Sequence, residues 1–359
     1  MIKEERAGDT IIIRFPGTVK ALSSTIVGGG LRRVRAALIK HVDDIGPGDD
    51  PRALAAEAAR EAGYTPEDAA VFLTAADLST SYASSTGPGV FVAASMGLEP
   101  LACPGKAAGA GPATINIVVY VDECLDGAAL VELAHLAGAV KASALASMGL
   151  SCGGLRAFGT VTDAVMAASK DCSGVTYAGP ATPHGGKVAG LLFDLLIGLG
   201  RAGESTWLRR VTGLGMEDLI EAVMRVYRAS PVPGVGEGRV RAMVEGVLGE
   251  ELSDPNLWAL LIATAEADAH AAAGTVPGLS REEHAADSPR VVADELLGAA
   301  IATYINGWRG LLAYTWVDRA KDRVAPEVAG LPMFTDDAVA ALIGGVLSKV
   351  LDRLVGGRS

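Results

Sequence analysis

The sequence predicts an α/β or α+β domain over residues 1–203, followed by an all-α domain over residues 204–359. Three observations carry this. In the first two hundred residues, runs of β-branched and aliphatic residues, Thr10-Ile-Ile-Ile-Arg-Phe15 and Ile115–Val121 foremost, alternate with helical segments. The composition shifts near Gly198 to Ser205, and beyond it nearly every segment has helical character. The 359 residues match two domains at roughly 150 residues each.

Taken in order, Thr10–Phe15 reads as a strand and Leu22–Val27 as a second. Gly28-Gly-Gly30 then turns the chain into a basic segment, Leu31–Lys40. Asp49-Asp-Pro51 starts a helix through Ala62, with Pro51 suited to the first turn. Val71–Ala76, Gly89–Ser95 and Ile115–Val121 read as strands, the last as a buried one. Gly127–Met148 reads as a helix whose Leu130, Leu133, Ala134, Ala137 and Val140 share one face. Phe158–Ala168 opens as a strand, and Val188–Leu199 is an apolar helix. In the second half, Met216–Tyr227 is an amphipathic helix and Pro231–Gly238 a loop. Val240–Leu248 and Leu257–Ala273 are helices, and Ser280 is an N-cap for Arg281-Glu-Glu283. Helices then cover Arg290–Trp308 and Asp337–Leu354.

The net charge of −11 argues against nucleic acid, since a phosphate backbone requires a basic face. It leaves room for a phosphorylated small molecule, which needs only a few local cations or a metal. The four cysteines, Cys103, Cys124, Cys152 and Cys172, form no Cys-x-x-Cys pair; they read as reduced thiols, not as a zinc site or a disulfide framework. The start, Met1-Ile-Lys-Glu-Glu-Arg6, lacks the apolar stretch of a signal peptide. The apolar stretches Val188–Leu199 and Ala338–Val350 fall short of the ~20 residues of a membrane span. The expectation is a cytoplasmic protein without a span.

Five polar motifs sit in glycine-rich turns at predicted strand ends, where α/β sheets gather ligands. They are Ser23-Ser24-Thr25 with Gly28, Gly29 and Gly30; Thr74-Ala-Ala-Asp77; Gly111-Pro-Ala-Thr-Ile-Asn116; Gly159-Thr-Val-Thr-Asp163; and Gly179-Pro-Ala-Thr-Pro-His-Gly185. Any one of them also suits a plain turn; five in one domain favour a site. The order and spelling of Leu22-Ser-Ser-Thr-Ile-Val-Gly-Gly-Gly-Leu-Arg32, Leu73-Thr-Ala-Ala-Asp77, Thr114-Ile-Asn-Ile117 with Asp122, Gly159-Thr-Val-Thr-Asp-Ala-Val165 and Tyr177-Ala-Gly-Pro-Ala-Thr182 resemble the CbiZ-type adenosylcobinamide amidohydrolases, over about residues 8–203. The resemblance implies hydrolysis of an amide in adenosylcobinamide, giving adenosylcobyric acid and an aminopropanol. Amide hydrolysis needs a nucleophile or activated water, a base and oxyanion donors. Asp163 is the candidate base, with Thr162, Thr182, His184, Asp77 and Asn116 as further catalytic candidates. Ser23, Ser24, Gly28, Gly29 and Gly30 are candidates for binding substrate; no cofactor is expected for this domain.

The second half carries two acidic constellations, Asp294-Glu295 and Asp336-Asp337, with Arg309, Asp318, Arg319 and Lys321 between them. Carboxylates near helix starts with cations close by suit a hard divalent ion and a phosphate ester. The plainer alternative is a charged first turn or an Asp cap. Val276-Pro-Gly-Leu-Ser-Arg-Glu-Glu283, Val291-Val-Ala-Asp-Glu-Leu-Leu-Gly298, Ala302-Thr-Tyr-Ile-Asn-Gly307 and Phe334-Thr-Asp-Asp-Ala-Val339 resemble the phosphatidylglycerophosphatase A superfamily, and within it the CobZ-type α-ribazole phosphatases, over about residues 207–354. That resemblance implies an all-α, Mg²⁺-dependent phosphomonoesterase with Asp294, Glu295, Asp336 and Asp337 as metal ligands and Arg319 and Lys321 on the phosphate. One departure stands out: Asp318-Arg-Ala-Lys-Asp-Arg323 lacks the Pro-Gly that follows Asp-Arg-x-Lys in the family. Together the two resemblances imply a bifunctional hydrolase of cobamide salvage, with a corrinoid and a phosphorylated small molecule as partners. The alternatives are a phospholipid-headgroup phosphatase and a non-catalytic corrinoid-binding protein.

Overall fold

The structure, a computed structural model, describes residues 2–43, 48–105, 113–152, 154–201 and 204–356. Gly111 and Pro112 of the third polar motif, and Ala202-Gly203 at the composition shift, lie outside the described residues. By internal contacts the chain divides into two compact units, Met1–Cys152 with Arg156–Ala202, and Gly153–Leu155 with Gly203–Ser359. A mixed α/β unit is followed by a largely helical one, as the sequence predicts.

The strands, all of the first unit except for Leu155 of β10, are β1 (Lys3–Ala7), β2 (Thr10–Ser23), β3 (Gly30–His41), β4 (Ala69–Thr74), β5 (Tyr82–Gly87), β6 (Val90–Met96), β7 (Leu101–Ala102), β8 (Ile115–Leu125), β9 (Ser151–Cys152), β10 (Leu155–Arg156), β11 (Gly159–Thr160) and β12 (Ala164–Val175). The main sheet runs β4-β3-β2-β12-β8-β6-β5, with β1 also paired to β2. The pairs β3–β4 and β8–β12 are parallel and the others antiparallel. The run Ile11-Ile12-Ile13 is continuously apolar because both faces are covered. Ile12 packs with Leu38, Val71 and the alanines of helix α1 (Pro51–Glu61), while Ile11 and Ile13 join Ile39 and Phe72 in a second cluster. Each such side chain contributes ~1.5–3 kcal/mol by burial.

Two predicted segments merge or change type. Leu22-Ser23 continues β2 and does not start a new strand. The basic segment Leu31–Lys40 is β3: its arginines 32, 33 and 35 are exposed, while Val34 and Ala36 to Ile39 are buried. The helices are closer to expectation. Asp50 caps α1 by accepting from Arg52 N at 2.9 Å, with Pro51 at the first position. Asp126 caps α2 (Gly127–Ser147) by accepting from Ala129 N at 2.9 Å. By length and composition α2 could cross a membrane, which the apolar-run count above overlooked; 44% of its apolar window is buried in this fold, against β8 and β12 among others. Helix α3 (Pro183–Gly200) starts five residues earlier than predicted, so His184 lies in a helical first turn and not in a loop.

The cysteines overturn the reduced-thiol expectation. Cys103 is bonded to Cys152 and Cys124 to Cys172, leaving no free thiol. Sequence separations of 49 and 48 residues leave no local spacing signal. The parallel pairing of β8 with β12 brings the second pair together.

The second unit is helical: α4 (Glu204–Thr212), α5 (Met216–Arg228), α6 (Glu237–Glu251), α7 (Pro255–Ala273), α8 (Arg281–Ala285), α9 (Ala293–Val324) and α10 (Met333–Gly356). Its core gathers Val223, Val244, Leu257, Ile301 and most of Ala338–Val350. Ser280 caps α8 in a reciprocal box with Glu283. Helix α9 breaks at Asn306-Gly307, where Gly307 adopts φ 57°. Its halves fold back on each other: a Cβ on Gly310 would meet Ala302 O, and one on Gly298 would meet Tyr314. Helix α10 begins at Met333, four residues before the predicted start, so Asp336 and Asp337 lie inside its first turns and are not caps. The cap is Asp268 of α7, which accepts from Phe334 N at 3.0 Å and Thr335 N at 2.8 Å.

Candidate functional site

In the first unit, four of the five polar motifs meet at one cavity of about 590 Å³, lined by Ser24, Thr74, Asn116, Thr162 and Asp163 among others. It opens at the C-terminal ends of β2 and β4 and at the N-terminal ends of β8 and β12, because β8 and β12 start side by side with Asn116 opposite Ala164. Strand ends do gather the site, but not carboxyl ends alone.

Asp163 is the anchor of this cavity. Its Oδ1 accepts from Ile115 N at 2.9 Å and from the Thr160 hydroxyl; its Oδ2 accepts from Thr160 N at 3.0 Å and from Lys141 Nζ. Both charged side chains are nearly closed off, at 11% and 12% exposure. The carboxylate therefore has four donors and ties β8, β11 and α2 together. Lys141 was missed in the sequence; its signal is a lone cation in the apolar helix Gly127–Ser147. Thr162 Oγ1 donates to Ala113 O at 3.0 Å, so the 2.5 Å contact between Thr114 and Thr162 is donated by Thr114. Asn116 Nδ2 donates to Leu73 O and Ser95 Oγ at 3.2 Å, while its buried Oδ1 has no partner.

The Ser23–Gly30 loop separates this cavity from a second of about 480 Å³ that reaches Arg32 and Arg52. Within the loop, Thr25 Oγ1 donates to Val27 O at 2.8 Å, so Ser23 donates its proton to Thr25, and Ser23 is spent internally. Ser24 differs: exposed, it accepts from Val165 N at 3.0 Å, and its own proton has no acceptor among the described residues. Gly28 is required by packing, since a Cβ there would fall 2.3 Å from Ala69 O. Val71 N donates to Val27 O at 3.0 Å and pins the loop to β4.

The remaining candidates lie elsewhere. Asp77 accepts from Ser79 N at 2.8 Å and holds an exposed turn; that backbone bond is the main reason its pKa is lowered. Thr182 caps α3, accepting from Gly185 N at 3.1 Å and donating to Gly179 O at 2.8 Å. His184 is buried and its Nε2 faces Tyr177 O at 3.2 Å. None of the three lines the cavity.

In the second unit, ligand oxygens of Asp294, Glu295 and Asp337 lie within 4.8 Å of one another. Burial is the first cause that raises Asp294 to about 7 and Asp337 to about 8; neighbouring Glu295 and Asp318 respectively add to it. Asp336 is drawn aside: Lys321 Nζ donates to it at 2.7 Å and pairs with Asp318 at 3.0 Å. Even so, burial outweighs Lys321 and lifts Asp336 to about 6. Arg319 is exposed. A residue absent from the sequence reading completes the cluster: the Tyr314 hydroxyl is buried without a hydrogen-bond partner. Its pKa is raised, first by burial and then by Asp337, Asp318 and Glu295.

The first unit thus pairs a mixed sheet with a largely apolar cavity into which the glycine-turn motifs bring a few polar side chains, the usual make-up of a small-molecule site. The adenosylcobinamide amidohydrolase (CbiZ) family matches residues 1–194, and the chain belongs to that family. The adenosylcobinamide amidohydrolase of Halobacterium salinarum is 36% identical over 176 residues, covering 46% of this chain and 72% of that protein. An uncharacterized protein of Methanocaldococcus jannaschii is 34% identical over 116 residues, 32% of this chain and 87% of its own length. Among solved structures, the low temperature requirement C protein from Listeria monocytogenes aligns with a TM-score of 0.35 at 20% identity, over 42% of this chain and 94% of that one.

Proposed function

We propose that the first unit cleaves the aminopropanol amide of adenosylcobinamide in the Ser24–Asn116–Thr162 cavity, releasing adenosylcobyric acid. The observation that carries this is the convergence of motif residues from four separate segments on one cavity. A volume of about 590 Å³ suits a drug-sized group. The corrinoid is larger, so the amide-bearing arm enters and the ring lies across the mouth. Ser24 supplies the free hydroxyl, as nucleophile or oxyanion donor. Asp163, with four donors on it, holds the cavity wall in place. Incubating the purified chain with adenosylcobinamide and separating the corrinoids tests this; no adenosylcobyric acid would refute it. Product in the same incubation would exclude a non-catalytic corrinoid-binding protein.

The second unit, on this reading, is a phosphomonoesterase acting on α-ribazole 5′-phosphate or a related cobamide phosphate. What supports it is the Asp294–Glu295–Asp337 trio of hard oxygen donors with an unpartnered phenol beside it. Those three carboxylates fit Mg²⁺, which polarises a phosphate oxygen when bound. Lys321, held between Asp318 and Asp336, keeps positive charge beside the trio for an incoming phosphate. Arg319 is the outer phosphate contact. Phosphate release from α-ribazole 5′-phosphate, with and without Mg²⁺, tests this half, and a phosphatidylglycerophosphate substrate in vesicles separates the lipid alternative.

A further inference from the structure

A buried phenol without a partner costs ~1–3 kcal/mol of desolvation, so the seating of Tyr314 calls for a physical reason. Two glycines make that seat. A Cβ on Gly298 would lie 2.6 Å from the Tyr314 hydroxyl, 2.7 Å from its Cζ and 3.1 Å from Asp337 O. A Cβ on Gly344 would lie 2.6 Å from Tyr314 N and 2.7 Å from its Cα. Gly298 follows Asp294 by one helical turn and Gly344 follows Asp337 by two. The segments that carry the acidic trio are therefore also the segments that grip Tyr314 at its two ends. Tyr314 is 3% exposed and its hydroxyl is buried, too deep to serve water.

We infer that Tyr314 is a positioning residue for Asp337: its hydroxyl donates to the Asp337 carboxylate and holds that group in a ligating orientation when a divalent cation is bound. This rests on the metal reading of the trio. Of the charged groups around the phenol, Asp337 acts on it most strongly, ahead of Asp318 and Glu295. Gly298 is part of the same device, because any side chain there displaces the hydroxyl.

The test titrates Mn²⁺ into the full chain and follows free Mn²⁺ by electron paramagnetic resonance, for the unaltered protein, Tyr314→Phe, Gly298→Ala and the double variant. Loss of an outer-shell partner lowers metal affinity ~10–100-fold, and that fall is expected for Tyr314→Phe, with the metal-free melting temperature unchanged or raised. Gly298→Ala is expected to weaken binding to a similar extent, and the double variant no further. A folded Tyr314→Phe protein with unaltered Mn²⁺ affinity overturns the inference, since Phe preserves the packing and removes only the hydroxyl. No Mn²⁺ binding by the unaltered chain at millimolar metal overturns the metal reading itself and the inference with it.

Discussion

Lys141 of α2 donates to Asp163 Oδ2, and through Asp163 it is joined to the start of β8 and to β11. Removing one partner of such a closed pair strands a charge and costs about 3–5 kcal/mol. Lys141→Met is therefore expected to lower the stability of the first unit by that order in urea, and Lys141→Met with Asp163→Leu to lose less than the single change. Asp163→Asn should lose amide turnover by ~10²-fold or more, in step with stability. Normal stability with lost turnover would restore Asp163 as the general base.

The two disulfides give a second expectation. Closing loops of 49 and 48 residues restricts the unfolded chain by about 4 kcal/mol each in the chain-entropy account. Maleimide should label no cysteine before reduction and all four after it. Melting with a phosphine reductant should fall well below melting without it. Four labelled thiols in the unreduced, folded protein would return the chain to the reduced-thiol reading.

Much of the fold can be read from local chemistry. Asp50-Pro51 announces α1, Ser280 with Glu283 announces α8, and the β-branched run at Ile115 announces β8. What stays hidden depends on contacts between distant segments. Strand β3 reads only as a basic segment until one sees that its arginines are exposed while Ala36 to Ile39 are buried, two on each face of the sheet. The Asn306-Gly307 break was present as a turn dipeptide inside a longer helical pattern, and the pattern overrode it. The site divides the same way. Ser24, Thr114, Asn116, Thr162 and Asp163 could be picked out from their glycine turns, whereas Lys141 and Tyr314 are single residues inside helices, and the carboxylate that Lys141 meets lies 22 residues away. Thr182 and His184 looked chemical because a Pro-His-Gly helix start has the same composition as a reactive turn.

A third expectation concerns pH. In the folded, metal-free chain, burial raises Asp336, Asp294 and Asp337 to about 6, 7 and 8. An unfolded Asp titrates near ~3.9. The folded state thus binds more protons than the unfolded one between about pH 4 and pH 8, and linkage makes this contribution to stability fall as pH rises through that window. It is fully present below ~pH 4, before acid loss of the lowered carboxylates elsewhere is considered. The unaltered chain should lose more stability between pH 5 and pH 8 than Asp337→Asn does. Saturating Mg²⁺ should remove that difference at pH 8, because the cation replaces the protons. Equal pH slopes for the two proteins would count against a proton on Asp337.

The last expectation separates the two units. Asp337→Asn removes a charge from the trio but leaves the start of α10 intact, because Asp268, not Asp337, receives the Phe334 and Thr335 amides. Thr335 Oγ1 also donates to Asp268 at 2.6 Å, and His284 Nε2 stands 2.8 Å from it, so the cap is secured on both sides. The variant should therefore fold without metal and melt no lower than the unaltered chain, with a margin that grows as pH rises through the window given above. Losing a ligand costs more than losing an outer-shell partner, so Mg²⁺ affinity should fall by at least ~100-fold, and phosphate release with it. Glu295→Gln should act alike, being the exposed member of the same trio. Conversion of adenosylcobinamide should be indifferent to both changes, since its cavity is lined wholly by residues 24–164. Each variant is to be assayed for both reactions, for Mn²⁺ binding and for melting on one preparation. Full Mg²⁺-dependent phosphate release by Asp337→Asn would remove Asp337 from the metal site, and a parallel loss of amide cleavage would show that the two activities share one site.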